Sequence, residues 1–282
     1  MVTSVSRLAY HAPTRETVPR LLTRHTHLIE ESLRLAALPP ASPLGRMCGY
    51  HMGWLDADGS PRDASRGKLI RPSLCVWACE SLSAPASQAL PAAVALELIH
   101  NFTLVHDDIQ DGDARRRHRP SVWTVWGQAQ GINAGDGLFA LAYTSLLARG
   151  AHPSRRLKAG EVISRAVLEV INGQCLDLTL EGRLDTSPAA YMRMVSAKTG
   201  ALLGASLEAG AVLAGASARV ARSFRRAGRL LGLAFQIRDD WLGVWGDPAL
   251  TGKGKESDLG RRKITYPIVA AYAGAPASLR RE

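Results

Sequence analysis

Apolar residues recur at three- and four-residue spacing along almost the whole chain, and no stretch longer than a few residues alternates with period two. That single period builds helices with apolar stripes and leaves no half-buried strands to pair, so the expected fold class is all-α. Proline, glycine and aspartate set the boundaries. Ser65 opens a helix through Leu69 to Leu82, and Pro85 to Pro91 breaks the chain before a helix running to about Asp111. A loop, Gly112 to Pro120, follows. Further helices are expected from about Asn133 to Ala148, Arg156 to Leu180, Pro188 to Ala214, Ala218 to Trp245 and Tyr266 to Tyr272, with a Gly-, Asp- and Lys-rich loop between Asp247 and Arg262. Tyr50 to Arg66 reads as a polar insertion and residues 1–18 as a frayed end. No repeat of fixed period divides the 282 residues, which suit a single domain.

A mean hydropathy of −0.05 and the lack of an unbroken apolar run near 18 residues argue against a membrane span. Arg7, His11, Arg15, Arg20 and Arg24 precede no apolar segment of the secretory kind, so a cytoplasmic location is expected. The four cysteines have no CxxC spacing, which points to free thiols and not to a zinc cluster or a disulfide framework. The net charge of +10 raises nucleic acid as a partner. Its distribution weakens that reading. Only six of the 35 basic residues are Lys, and Arg pairs such as Arg155-Arg156, with the run from Arg222 to Arg229, read as solvated helix faces. Lys68, Lys198, Lys253 and Lys263 instead fall inside motifs, so an anionic small molecule is the better partner. The Ala- and Gly-rich stretch 188–214 reads as tight helix packing.

Asp107-Asp108-Ile109-Gln110-Asp111 closes a predicted helix. At about 100° per residue, His100, Asp107 and Asp111 fall on one stripe. Carboxylates four residues apart repel, and the macrodipole disfavours them at a helix C-terminus, so the arrangement is a cost unless a cation sits between them. Oxygen ligands of this kind suit magnesium, held by one or two carboxylates plus phosphate oxygens and water. A second pair, Asp239-Asp240, lies on another apolar helix. Facing each other across a bundle, the two acidic edges could hold magnesium ions and one diphosphate. Arg115, Arg116 and Arg117 follow the first motif, and Lys253, Lys255, Arg261, Arg262 and Lys263 follow the second. Lys68 and Arg71, three residues apart, add cations for one anion.

Glu97-Leu98-Ile99-His100, Val105-His106-Asp107-Asp108-Ile109-Gln110-Asp111, Arg116-Arg117 and Pro120 resemble the first aspartate-rich motif of the trans-isoprenyl diphosphate synthases, or polyprenyl synthetases, with its following arginines. Lys198-Thr199-Gly200, then Phe235-Gln236 to Asp239-Asp240 with Gly246-Asp247-Pro248, Thr251-Gly252-Lys253, Asp258 and Lys263, resemble the rest. The likeness covers roughly residues 44–273. It implies an antiparallel bundle around a deep cavity, magnesium as cofactor and a homodimer. Asp107, Asp108, Asp111, Asp239 and Asp240 would then hold the metal on an allylic diphosphate, with Arg116, Lys198 and Lys253 clamping that group and Thr199 and Gln236 orienting it. Lys68, Arg71, His100 and Arg117 would bind isopentenyl diphosphate, and Lys263 would serve the rim. The implied reaction joins these two substrates into a longer trans-prenyl diphosphate. Phe102, about 7.5 Å of helix rise before Asp107, resembles the aromatic floor of members that stop at C20, although five residues turn it about 140° away. The first motif also lacks the two-residue insertion of many bacterial farnesyl synthases, which favours C20 over C15.

Three departures stand out. Gly243 replaces the third acidic residue of the second motif, Arg66 and Leu69 replace family residues beside Lys68, and only 15 residues follow Pro267 where the resemblance implies further helices. A class I terpene cyclase shares the fold and the first motif, but normally has a different second motif and no need of Lys68, Arg71 and His100. A non-catalytic partner subunit of a two-chain synthase would fit Gly243 and the short C-terminus, yet such subunits usually lack one motif that is largely present here.

Overall fold

A computed structural model describes residues 20–62, 67–148, 150–246 and 264–276. The N-terminal part holds α1 (Arg20–Thr23), α2 (Thr26–Leu35), α3 (Pro43–His51), α4 (Ile70–Glu80) and α5 (Ala86–Gln110). A hairpin of β1 (Arg115–Arg116) and β2 (Arg119–Pro120) leads into α6 (Val122–Trp126), α7 (Gln128–Leu147) and α8 (Pro153–Leu180). Next come α9 (Pro188–Val195), a π-helical turn (Ser196–Gly200), α10 (Ala201–Leu213), α11 (Ala218–Trp245) and α12 (Tyr266–Gly274). The fold is an all-α bundle.

Its ends follow local chemistry. Ser42, Ser187 and Ser217 cap α3, α9 and α11 by accepting from the amides of Gly45, Ala190 and Val220, satisfying donors that a helix start leaves unpaired. The bounds expected for α11 are met at both ends. Elsewhere the chain departs from expectation. Helix α8 starts at Pro153, since a proline at the first helical position gives up only an amide that has no intrahelical partner there. Pro91 does not delay α5 but sits inside it. The bond it forgoes is to the carbonyl of Ser87, an exposed residue whose oxygen water can serve. Leu69, held left-handed at φ 47°, delays the start of α4 to Ile70, while Ser65 lies outside the described residues. Helix α7 starts five residues early, after Gly127 at φ 86°.

The loop expected at 112–120 contains the β-hairpin, a small exception to the absence of strands. The insertion at 50–66 is only partly polar, because Tyr50, Met52, Trp54 and Leu55 are buried. Residues 1–18 lie outside the described residues. The Arg222–Arg229 face is not simply solvated: Arg225 donates to Glu169 at 2.9 Å and Arg229 to the same carboxylate at 2.5 Å, tying α11 to α8.

Helix α5 is the spine. It packs against α7 on one side and α4 and α10 on others, with Leu96, Leu98 and Ile99 fully buried. Among the described residues it alone is long and apolar enough to cross a membrane by length and composition, but 67% of its most apolar window is buried in the protein. The small residues expected to permit close packing do so: a Cβ on Gly210 would lie 2.1 Å from the Cys75 carbonyl, so α10 meets α4 backbone to backbone. A second apolar cluster of Tyr191, Met194, Val195, Ile264 and Val269 joins α9 to α12.

Candidate active site

The first acidic motif occupies the last turn of α5, at the edge of the core. Asp107 and Asp111 are half-buried, whereas Asp108 turns inward and is 1% exposed. Arg116 of β1 donates to Asp108 Oδ1 at 2.6 Å. Burial pushes the Asp108 carboxyl up to about 6 against the pull of that guanidinium. The hairpin is strapped in place from α3 and the loop after it: Tyr50 donates to the Pro120 carbonyl at 2.9 Å, and Arg119 to the Leu55 carbonyl and Asp56, both at 3.1 Å. Its turn is made by Arg117 and His118 at φ 48° and 64°. A two-residue turn of this hand ordinarily calls for Asn and Gly, so Arg117 is held in a backbone conformation that costs of order 1 kcal/mol or more.

A polar rim links this edge to the second motif. Gln174 of α8 donates to Asp111 at 3.5 Å, and one turn later Asp177 accepts from Lys198 at 2.6 Å. Lys198 and Thr199 sit in the π turn, which replaces the continuous helix expected over 188–214. Gly173 makes room for that turn: a Cβ there would lie 2.3 Å from the Lys198 amide nitrogen. Because neighbouring residues point about 100° apart, Lys198 faces α8 while Thr199 faces α11, donating to Gln236 Oε1 at 2.9 Å. Gln236 in turn donates to Asp240 Oδ1 at 2.8 Å. Asp240 is buried and also accepts from the Tyr191 hydroxyl and the Tyr266 amide. Its pair-mate Asp239 is exposed. The two acids expected to act alike therefore face in different directions. Gly243 lies within α11, and Lys253, Lys255, Arg261, Arg262, Lys263 and Asp247 lie outside the described residues.

A second polar cluster lies two turns up α5. His100 is flanked by Arg71, Arg117, Arg116 and His51, and burial together with the three guanidinium groups holds its imidazole well below the usual range. Lys68 is exposed near this cluster, next to Gly67, where a Cβ would stand 3.2 Å from Arg117 Nη2. Phe102 is 8% exposed and packs edge-on against His106 and at a tilt on Phe139 of α7, with ring centres 5.0 and 5.3 Å away. It therefore belongs to the layer between α5 and α7. Sequence reasoning did not single out Gln174, Asp177, Tyr191, Asn101 or His51. The first two are three residues apart on one helix, the one local signal available.

Asp108 Oδ2 and Gln174 Oε1 are buried without a hydrogen-bond partner among the described residues, which leaves hard oxygen donors beside Asp111. Among the described residues no three His, Cys, Asp or Glu side chains converge to hold an ion by themselves. Magnesium, which keeps several waters and shares its sphere with phosphate oxygens, fits such an open donor set.

The sequence profile described as polyprenyl synthetase matches residues 62–281. The chain belongs to the polyprenyl synthetase family. With it the chain is a trans-prenyltransferase, a diphosphate synthase. It is 43% identical to a (2E,6E)-farnesyl diphosphate synthase of Mycobacterium tuberculosis over 269 residues, 95% of this chain and 74% of that protein. It is equally 43% identical to a geranylgeranyl diphosphate synthase of the same organism, over 81% of this chain and 65% of that one. Among solved structures, a polyprenyl synthetase from Streptomyces coelicolor A3(2) superposes with a TM-score of 0.86 at 45% identity, covering 93% of this chain and 77% of the other. The all-α polyprenyl synthetase fold expected from the sequence is thereby established.

Proposed function

We propose that the chain condenses an allylic diphosphate with isopentenyl diphosphate into a C20 trans-prenyl diphosphate, with magnesium as cofactor. The observation that carries the two-substrate reading is two unlike polar clusters set along α5, the second completed by residues of α4 and the hairpin. At its C-terminal end stand carboxylates suited to a metal-bound diphosphate. About 10 Å up the helix, a cluster of Arg71, His100 and Arg117 suits a diphosphate that needs no metal.

Asp107, Asp111 and Asp239 would hold magnesium together with Asp108 Oδ2, while Asp108 Oδ1 and the buried Asp240 would set the positions of Arg116 and Gln236. When bound, magnesium supplies positive charge against the growing negative charge of the leaving diphosphate. Lys198 adds to this by turning from Asp177 towards the anion, and Arg116 holds the rim. Lys253 and Lys263 belong to this part of the proposal on sequence grounds. The allylic carbon–oxygen bond breaks, the isopentenyl double bond attacks the resulting cation, and a proton leaves to the released diphosphate. Water must be kept out meanwhile, which the apolar walls of α5 and α10 favour.

Product length rests on the aromatic layer of Phe102 and Phe139, with relatives named for both C15 and C20 products. The homodimer is also proposed, and the exposed Leu168 and Ile171 of α8 offer apolar area to a second copy. Incubating the protein and magnesium with isopentenyl diphosphate and each of the C5, C10 and C15 allylic diphosphates, then sizing the products, tests the reading. A C20 product supports it. Hydrocarbon formed without isopentenyl diphosphate would point to a cyclase, and no turnover with any primer to a non-catalytic partner.

A further inference from the structure

Behind the cationic cluster on α5 lies a buried arrangement that the proposed chemistry does not itself use. Glu97 and Asn101, one turn apart, are 4% and 1% exposed. The Asn101 amide donates to the Glu97 carbonyl at 2.8 Å and to Glu97 Oε1 at 3.1 Å. Its oxygen accepts from His51 Nε2 at 3.1 Å and from Arg117 Nη2 at 3.4 Å. Every hydrogen-bonding position of that amide is filled, which fixes its orientation. The Glu97 carboxylate is the acidic group whose field reaches Arg71 and also Arg117. Arg71 Nε is buried and meets no acceptor among the described residues. A cleft lined by Glu30, Gly67, Leu69, Glu97, Asn101 and Arg117 opens beside them.

A carboxylate beneath an anion site is a cost in affinity unless it does something else, because it cancels charge the ligand would otherwise meet. Here it acts on the two guanidinium groups together. Both lie in its field, and Arg117 is also tied to it through the Asn101 amide. Arg117 is thereby held and Arg71 attracted before any ligand arrives, and a preorganised site spends less of its binding energy on ordering side chains. We infer that Glu97 and Asn101 are positioning residues for the acceptor-diphosphate site, setting the places of Arg71 and Arg117 without touching substrate. The inference rests on the reading that Arg71 and Arg117 bind isopentenyl diphosphate.

The test is steady-state kinetics of Glu97→Gln, Glu97→Asp and Arg71→Ala in the full chain, varying each substrate in turn. Glu97→Gln should raise the KM for isopentenyl diphosphate about tenfold while leaving the allylic KM and kcat within about threefold. Glu97→Asp should recover part of the loss. Calorimetric titration with isopentenyl diphosphate should show binding weakened by the same factor. If Arg71→Ala selectively raises that KM and Glu97→Gln does not, the positioning role fails and the assignment of the two substrates stands. If Arg71→Ala itself raises both KM values alike or neither, the assignment of the substrates is what fails. Thermal unfolding checks that each variant folds, and should Glu97→Gln not fold, Asn101→Ala carries the same expectation and the same overturning result.

Discussion

The Tyr191 hydroxyl donates to Asp240 Oδ2 at 2.5 Å, and this single bond gives the two acids of the second motif separate work. Asp240 also receives the Tyr266 amide at 2.9 Å and the Gln236 amide at 2.8 Å. It thus pins the start of α12 to α11 and holds Gln236 towards Thr199. Removing one donor from a buried carboxylate leaves it under-satisfied, so Tyr191→Phe should lower stability by about 1–3 kcal/mol. Urea unfolding monitored by circular dichroism measures the change, and no loss would mean that the bond is replaceable.

Asp107 and Asp239, more open to solvent, should behave differently. Asp107→Ala and Asp239→Ala should each cut turnover by more than tenfold, about 1.4 kcal/mol of barrier, with the thermal midpoint nearly unchanged. Asp240→Ala should lose activity and stability together. Turnover within tenfold of the parent for both of the first two would make the acidic edge an ordinary surface cluster. Chelation of magnesium should abolish turnover in every case.

Acid should destabilise the protein through its buried imidazoles. Burial, with Arg117 and Arg116 nearby, lowers His51 from 6.5 to about 3, and His100 moves in the same direction. The unfolded chain therefore takes up protons below pH 6.5 that the native state refuses. The stability that these histidines contribute is fully present above that pH and falls as pH drops towards 3, at up to about 1.4 kcal/mol per pH unit for each. Unfolding free energies of the parent and His51→Gln at pH 7 and pH 5 should converge as pH falls. A parallel pair of curves would show that His51 titrates normally.

Phe102→Ala separates two roles. Its ring contacts with Phe139 and His106 predict a loss of about 3–5 kcal/mol, the usual result of emptying an aromatic core position. A chain-length role predicts products beyond C20 as well. Chromatographic sizing of the products, with an unfolding curve, decides the matter, and unchanged length with lowered stability would leave Phe102 as core alone.

What the sequence made legible was whatever its own local chemistry determines. Ala218–Trp245 was readable because Ser217 caps one end and Gly246 stops the other, and Asp107 and Asp239 because paired carboxylates on apolar helices are conspicuous. Asp177, Tyr191 and Asn101 were hidden because their partners, Lys198, Asp240 and His51, lie 21, 49 and 50 residues away on other elements. No neighbouring residue advertises such a contact. Pro91 misled for a related reason, since a proline's cost depends on whether the carbonyl four residues earlier faces water. The π turn was invisible because its sequence is as helical as the segments on either side.

That turn has a consequence for how the chain can change over time. It uses one more residue per turn than its neighbours, so it acts as a phase joint between α9, keyed to Asp240 through Tyr191, and α10, keyed to α4 through Gly210. Deleting any one residue from Ser196 to Gly200 would restore an unbroken α-helix with nearly the same phase, because five residues of the wider π turn advance about as far around the axis as four α-helical ones. The spacing between Tyr191 and Gly210 can therefore shorten by one residue within this turn, whereas a deletion in the regular turns of α9 or α10 would rotate everything beyond it by about 100°.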